Sequence, residues 1–373
     1  MRFIPAIAGG RLITKAVGGF IVAVALALAA CITWRAWILR QTEKQLIIRD
    51  AGGIDEALFV GVGGAQQWVT IRGRNRSNPV VLMIHGGPGV SNGAFVTDLL
   101  PYEADFTIVQ WDQPGAAKSF VRAGHTIDSG LTIAGMTQDG IGVAEFLRAH
   151  LHIHRIILLG WSWGSIMGVE MVRQRPDLFA AYVGAGQIVN EQEGEAISYA
   201  RVLAKARAQG DGRAVRELEA GPPPYKKQAD LGAQRKWSSI YAGDSTPIVE
   251  ITRSALLAPR YSLSDVWGYL SGVVASQNHF LGLNMEGEFM KVDLMAGNMV
   301  FALPVFVIQG TEDVWTPADL SRDFVERLKA PEKAFIPIEG AGHSALVRNS
   351  SAFLKAMNSR VRPIAVAQSI GSH

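Results

Sequence analysis

The chain has 373 residues, of which 48% are hydrophobic and 18% are charged, a balance that supports a folded core and excludes an intrinsically disordered protein. Its net charge is +3, but the first 50 residues carry seven basic and two acidic side chains, so the remaining chain is net −2. This distribution excludes a basic nucleic-acid-binding face, and we expect no nucleic-acid partner.

Residues 1–40 are predicted to form a membrane segment. Residues 16–34 carry no charged side chain, and their length matches a helix that crosses the hydrocarbon core of a bilayer. One interpretation is an uncleaved anchor helix; the other is a secretory signal with a lipoprotein-like cleavage box at Cys31, the single cysteine. The apolar, basic run after Cys31 is unlike a polar tether and favours the anchor. We expect attachment to the membrane through residues 16–34, with the domain that follows this segment outside the cytoplasm.

Strand patterns are frequent in residues 50–186. Two alternating runs flank Gly63-Gly64 and predict a β-hairpin. The apolar runs Val80–Ile84 and Thr107–Trp111 each lead into a turn with glycine or proline, which is typical of buried parallel strands. A helical pattern follows, and RIILLG then predicts a strand that turns sharply into a helix ending before Pro176.

The pattern changes over residues 187–299, where helix-like segments dominate and Ser262 with Asp265 resembles a capping box. Strand-turn-helix patterns return over residues 300–373, where Thr316 is predicted to cap a helix that begins at the next residue. Strands alternating with helices predict an α/β fold with a mostly parallel sheet covered on both faces. The helical residues between the two parts are predicted to be a lid inserted at the carboxyl edge of the sheet.

Ser162 is the candidate nucleophile. The pentapeptide GWSWG follows a strand pattern and opens a helix pattern, which is the context of a serine exposed on a sharp strand-to-helix turn. Gly160 and Gly164 suit this turn because a Cβ at either position would clash. The alternative is a structural serine in a glycine-rich loop, so the interpretation depends on the partners that follow.

A serine hydroxyl needs a base, and the base needs a carboxylate that orients it. Asp313 and His343 each come directly after a strand pattern, in the order serine, aspartate, histidine that this arrangement uses. We therefore predict Ser162 as nucleophile, His343 as base and Asp313 as its orienting acid, with the neighbouring Glu312 as the substitute for Asp313.

An oxyanion hole needs two backbone N–H donors. Trp163, which directly follows the candidate nucleophile, is predicted to supply one of them. The loop HGGPG supplies the other, and we favour Gly87 over Gly86 as the donor. His85 is interpreted as a residue that bonds the backbone of this loop, and Asp112 as a carboxylate that fixes a turn beside it.

The histidines His150, His152 and His154 raise the question of a metal site. Their spacing would place them on one face of a strand, but no cysteine and no dense set of carboxylates accompanies them. We predict no metal and no organic cofactor.

The ordered motifs HGGPG, WDQPGAAKS, GWSWGS, GTED and GAGHS together resemble those of α/β-hydrolases similar to prolyl iminopeptidases. The resemblance covers roughly residues 55–190 and 300–350, and implies the α/β-hydrolase fold with the triad and oxyanion donors named above. This chain departs from the family motif DQRGxGxS at Pro114, Ala116 and Ala117, and by its membrane segment.

The resemblance implies a serine hydrolase that acts on small peptides with a free N-terminus. In such an enzyme a lid carboxylate, Glu195 or Glu191, would hold the substrate's ammonium group; otherwise these residues form a solvated helix start. A carboxylesterase or lactonase is the alternative within the same chemistry. A membrane-tethered binding protein without turnover is the alternative from another class.

Overall fold

The computed structural model describes residues 8–242 and 248–370. The chain divides into two compact units, Met1–Ile47 and Ile48–His373. A few residues of each of three predicted segments, 1–40, 187–299 and 300–373, lie outside the described ranges.

The first unit contains one long helix, α1, which spans Ala8–Gln45. Within Ala16–Gln45, an 18-residue window has a mean hydropathy of 2.4, and large apolar side chains such as Phe20 and Leu26 are exposed. A helix of this length and composition is suited to cross a bilayer. Both a membrane anchor and a signal sequence fit this description.

In the described part of the second unit, eight strands form one sheet in the order β1-β2-β4-β3-β5-β6-β7-β8. The pairs β1–β2 and β2–β4 are antiparallel and the remaining pairs are parallel. The sheet is therefore mostly parallel, as predicted. The strands are β1 Ile54–Val62, β2 Ala65–Gly73, β3 Val80–Ile84, β4 Thr107–Trp111, β5 Ile156–Trp161, β6 Phe179–Ala185, β7 Val305–Gly310 and β8 Lys333–Ile338.

The hairpin and the two buried strands agree with the sequence prediction. Gly63 and Gly64 connect β1 to β2, and both have positive φ angles, which glycine adopts at little cost. Strands β3 and β4 have the predicted bounds, and all their residues are buried. A continuous apolar run is required here because both faces of these strands are covered.

Helices cover both faces of the sheet. In β3, Leu82 belongs to one apolar cluster and Val81 and Met83 belong to another. Because successive strand residues point to opposite faces, the two clusters are the cores on the two sides of the sheet. The helices of the main body are α2 Ala117–Arg122, α3 Ile133–Leu151, α4 Trp163–Gln174, α10 Ala318–Arg327, α11 Ala345–Arg348, α12 Ser350–Ala356 and α13 Arg362–Ile370.

Between β6 and β7, within the segment predicted to be a lid, the described residues form five α-helices. Ser262 and Asp265 form the predicted capping box at the start of the last of them. One small apolar cluster, around Trp237, lies within this segment, and a second packs the last two of these helices against Phe95 and Ala117 of the main body. The helices are α5 Glu191–Ala208, α6 Gly212–Glu219, α7 Gln228–Ala242, α8 Ile248–Leu256 and α9 Leu263–Leu281.

Two local predictions were wrong. Helix α10 begins at Ala318 with Pro317 as its N-cap, one residue later than predicted, because the Thr316 hydroxyl donates to a carboxylate elsewhere. The histidine run does not lie on a strand: His150 is in the last turn of α3 and His152 caps that helix with positive φ. The His150 imidazole contacts the Glu56 carboxylate at 2.6 Å.

Candidate active site

Ser162 lies on a sharp turn between β5 and α4. Its φ of 53° and ψ of −122° are strained for a residue with a side chain, and such strain is typical of functional turns. Its N–H donates to the Ala185 carbonyl at 2.9 Å, which ties the turn to the neighbouring strand. A Cβ at Gly160 would lie 2.7 Å from Ser165 Cα, and one at Gly164 would overlap the Ile84 carbonyl oxygen. The glycines are therefore required by close packing, as the motif predicts.

His343 and Asp313 are in contact, although 30 residues separate them along the chain. The Nδ1 atom of His343 lies 3.0 Å from Asp313 Oδ2 and 3.2 Å from Oδ1. Both residues are buried, and Asp313 has no solvent exposure. The adjacent Glu312 is exposed, so the structure favours Asp313 over Glu312 as the carboxylate beside the imidazole.

Backbone and side-chain donors besides His343 hold the Asp313 carboxylate, among them the Gln309 amide, which donates to Oδ2 at 3.4 Å. The backbone N–H groups of Trp315 and Thr316 donate to its Oδ1 atom at 2.9 and 3.0 Å. The Thr316 hydroxyl donates to Oδ2 at 2.6 Å, which also places that hydroxyl 3.3 Å from His343 Nδ1. The carboxylate is therefore fixed before any substrate arrives. Sequence reasoning assigned Thr316 to helix capping and missed this contact.

The two predicted oxyanion donors approach Ser162 from different loops. Trp163 is the first residue of α4, where backbone N–H groups have no partner within the helix. Gly87 lies in the loop after β3 with φ of 127°, a conformation that favours glycine. A Cβ added at Gly86 would lie 3.4 Å from Ser162 Cβ, so this loop passes directly beside the serine.

His85 bonds the backbone of its own loop, as predicted. Its Nδ1 atom lies 2.8 Å from the Gly86 carbonyl oxygen, and the Gln113 N–H donates to its Nε2 atom at 3.2 Å. Burial lowers the pKa of His85 to about 4. The ring is therefore neutral near pH 7. Gln113, in the motif WDQPGAAKS, was not predicted as a site residue, since no local sequence pattern distinguishes a functional glutamine in a loop from any other.

Asp112 fixes the turn after β4. Its Oδ1 atom accepts a hydrogen bond from the Ser91 hydroxyl, and its Oδ2 atom accepts one from the Lys118 N–H at 3.0 Å. Ser91 follows the HGGPG loop, so this carboxylate connects the two turns, as its prediction as a turn-fixing residue implies. Burial raises the pKa of Asp112 to about 7, against the opposing effect of the hydrogen bond from Ser91.

A cavity of about 510 Å³ opens beside Ser162. The main body contributes Ser162, His343 and Gly87 to its lining, and the segment between β6 and β7 contributes Glu191 and Arg235. Its remaining walls are largely apolar, and include side chains from α9. One cavity is therefore lined by the predicted nucleophile, the predicted base, the predicted oxyanion donor Gly87 and the carboxylate of Glu191.

The two candidate lid carboxylates have different environments. Glu195 is bound by both terminal nitrogens of Arg235, which reaches it from α7. Glu191 is buried and lines the cavity, and its Oε1 atom has no hydrogen-bond partner among the described residues. Burial and the nearby Glu195 carboxylate raise the pKa of Glu191 well above its usual range, and Arg235 opposes the shift. Burying a carboxylate oxygen without a partner is energetically costly.

The fold and this arrangement define a hydrolase of the α/β class. The alpha/beta hydrolase fold family matches residues 79–350, and the chain belongs to this family. The chain is 27% identical over 314 residues to the probable aminopeptidase YbaC of Bacillus subtilis, covering 81% of this chain and 95% of that protein. It is 25% identical over 326 residues to the probable proline iminopeptidase of Streptomyces coelicolor, covering 82% of this chain and 94% of that protein.

Among solved structures, the proline iminopeptidase of Mycobacterium smegmatis superposes with a TM-score of 0.61. The match covers 84% of this chain and 100% of that one, at 16% sequence identity. This likeness shows that the α/β-hydrolase fold is shared along the length of that enzyme.

Proposed function

We propose that this protein is a serine hydrolase that cleaves small peptides with a free N-terminus through an acyl-enzyme. The observation that carries the proposal is the Glu191 carboxylate, which lines the same cavity as Ser162 and His343 and whose Oε1 atom has no hydrogen-bond partner among the described residues. The aminopeptidase and iminopeptidase relatives support the same substrate class.

In the proposed reaction, Asp313 orients the base. A carboxylate only accepts hydrogen bonds, so the proton of a neutral His343 lies on Nδ1, and Nε2 is left free to take a proton. Ser162 Oγ attacks the substrate carbonyl while His343 Nε2 removes the hydroxyl proton, and the same imidazole then protonates the leaving amine. Water attacks the acyl-enzyme by the same route and releases the acid.

The developing negative charge needs donors that are already in place. We propose the backbone N–H groups of Gly87 and Trp163 for this role. They flank Ser162 from the loop after β3 and from the start of α4, and neither requires a side chain to move. No metal or organic cofactor enters this mechanism.

Glu191 is the proposed ammonium ligand, rather than Glu195. Arg235 neutralises Glu195 through both of its terminal nitrogens, whereas Glu191 forms no ion pair among the described residues. Leaving a buried charge unpaired is unfavourable, and the raised pKa of Glu191 expresses this cost. A substrate ammonium group would supply the missing positive charge and stabilise the ionised carboxylate.

We propose that residues 187–299 form a lid over residues 50–186 and 300–373, since the segment supplies Glu191 and Arg235 to the cavity wall. We further propose that α1 is an uncleaved anchor and that the catalytic unit lies outside the cytoplasm. Retention of the full-length mass in a carbonate-washed membrane fraction would support the anchor. A mature protein that begins at Cys31 would contradict it.

The substrate class is tested by comparing three sets of chromogenic substrates on the full chain. We expect cleavage of L-prolyl and L-alanyl p-nitroanilides, and loss of that cleavage when their N-termini are acetylated. If p-nitrophenyl esters are hydrolysed and the free-amine anilides are not, the enzyme is a carboxylesterase or lactonase and the peptide assignment is wrong.

A further inference from the structure

Gln113 connects the two loops that carry the proposed oxyanion donors. This side chain is fully buried. Its Nε2 atom donates to the His85 carbonyl oxygen at 3.0 Å, and its Oε1 atom accepts from Trp163 Nε1 at 3.1 Å. One amide group therefore bonds both the loop that contains Gly87 and the residue that directly follows Ser162.

The hydrogen bonds of His85 fix the position of its proton. The Gln113 backbone N–H can only donate, so His85 Nε2 must accept and carries no proton. The Gly86 carbonyl can only accept, so the bond of 2.8 Å requires a proton on His85 Nδ1. The neutral Nδ1–H tautomer is thus the one that satisfies both partners.

The bond from His85 to the Gly86 carbonyl also determines where the next N–H points. The Gly86 C=O and the Gly87 N–H belong to one planar peptide unit and point in opposite directions in the trans form. Holding the carbonyl therefore holds the N–H. Two adjacent glycines give this loop a wide choice of backbone angles, so a fixed direction requires a bond from outside the two residues. The Val90 N–H adds a longer bond of 3.3 Å to the same carbonyl.

We propose that Gln113 and His85 are positioning residues that hold the oxyanion hole in its working geometry. The Gln113 backbone N–H fixes the tautomer of His85, His85 holds the Gly86 carbonyl, and the Gly87 N–H is thereby aimed at the substrate oxygen. The Gln113 side chain holds the His85 carbonyl oxygen at the start of this loop and also bonds the indole of Trp163, so the segments that carry both donors are held by one side chain. This inference rests on the proposed acyl-enzyme function of Ser162.

The test compares Gln113→Met with Gln67→Met in the full chain. Gln67 is an equally buried glutamine that also accepts from a tryptophan indole, that of Trp111 at 2.7 Å, and donates to the Val62 carbonyl at 3.3 Å. It does not line the cavity. Each substitution removes a buried amide of the same type, so the control reproduces the general loss of stability without touching the oxyanion loop.

We expect Gln113→Met to lower kcat on L-alanyl p-nitroanilide by roughly 10- to 100-fold, less than the full loss of an oxyanion donor, with KM changed by less than about threefold. The affinity for an aminoalkyl boronic acid, which forms a tetrahedral adduct with a serine, should fall by a similar factor. Gln67→Met should keep kcat within about threefold of the wild type. Equal kcat values for the two variants would overturn the inference.

A second measurement covers the case in which Gln113→Met does not fold. In the wild type, the ¹⁵N shifts of the His85 ring near pH 7 should show the neutral Nδ1–H tautomer, and an Nε2–H tautomer or an imidazolium would overturn the inference. Failure of the proposed function can be distinguished from failure of this inference. If the proposed function is wrong, the wild type itself neither reacts with a fluorophosphonate nor cleaves the anilide.

Discussion

The main body and the segment between β6 and β7 both line the cavity, but their carboxylates differ in how many of their oxygens have hydrogen-bond partners. In the main body, Asp313 has a hydrogen-bond donor for each oxygen and a contact with His343. In the inserted segment, Glu191 has an unpartnered oxygen among the described residues, while its neighbour Glu195 is fully engaged by Arg235.

This difference indicates a division of roles. The main body is complete without a ligand, which is what a reaction centre needs if it is to stabilise charge without reorganising. In the inserted segment, Arg235 pairs with Glu195 and leaves an oxygen of Glu191 without a partner among the described residues. A binding site for a cationic substrate needs such a carboxylate. The comparison predicts that substitutions in the main body affect all substrates, and that substitutions in the insertion affect only those with an ammonium group.

The largest effect is expected for Ser162→Ala. Without the nucleophile, kcat on every substrate should fall by roughly 10⁴-fold or more, because the remaining catalysis comes only from binding and the oxyanion donors. Steady-state assays on an anilide and an ester would measure it. Ser271→Ala, at a half-buried serine on α9 that does not line the cavity, is the control and should retain wild-type rates; an equal loss in both variants would contradict the assignment.

Asp313→Asn should lower kcat by up to roughly 10⁴-fold, since an amide can leave the His343 ring in the wrong tautomer. The matched control is Glu312→Gln, at the neighbouring exposed position, where we expect less than about a twofold change. Assays on both an anilide and an ester would show the same loss. If Glu312→Gln is the damaging variant, the acid has been assigned to the wrong carboxylate.

Glu191→Gln should lower kcat/KM for L-alanyl p-nitroanilide by roughly 10²-fold, the cost of removing one partner of a buried ion pair. Hydrolysis of a p-nitrophenyl ester should change little. Glu193→Gln, in the same helical turn but exposed, provides the control. A uniform loss on both substrates would remove the distinction between the two regions.

The same variant has a signature in the pH profile. Because burial and Glu195 raise the pKa of Glu191, its carboxyl group stays neutral to higher pH than an ordinary glutamate, and in the proposed binding mode only the ionised form holds the ammonium group. The kcat/KM for the free-amine substrate should therefore rise with pH through that pKa. Glu191→Gln should lack this limb, which should also be missing from the wild-type profile for the ester.

The smallest effect is expected from Asp112→Asn, and it concerns stability rather than rate. The folded protein keeps the Asp112 proton up to about pH 7, whereas the unfolded chain releases it near 3.8. The stabilisation linked to this proton is complete below 3.8 and is lost as pH rises to about 7, with a slope of up to about 1.4 kcal/mol per pH unit. Urea unfolding of wild type and variant between these values should show the slope only in the wild type; identical slopes would contradict it.

Much of the main body could be predicted from the sequence because its signals are local. The bounds of β3 and β4 follow from short apolar runs, and the turn at Ser162 follows from its flanking glycines. Asp313 and His343 are recognisable because each follows a strand, and the carboxyl ends of parallel strands lie at the same edge of a sheet. The contact between them was therefore expected before the structure.

The parts that could not be predicted depend on contacts between distant residues. The choice of Glu191 over Glu195 depends on Arg235, which reaches α5 from α7, and no local pattern indicates that pairing. The position of Gln113 is set by hydrogen bonds to His85 and Trp163, which are distant from it in the chain. The start of α10 was misplaced by one residue for a different reason: the Thr316 hydroxyl donates to Asp313, three residues earlier in the chain, and does not cap the helix.

The most direct test of the central claim is competition for fluorophosphonate labelling of Ser162, followed by mass spectrometry of the labelled peptide. We expect labelling of Ser162 in the wild type, slowed by L-alanyl p-nitroanilide but not by its N-acetylated form, and loss of that discrimination in Glu191→Gln. No labelling of Ser162, or equal protection by the free and acetylated compounds in the wild type, would contradict the account.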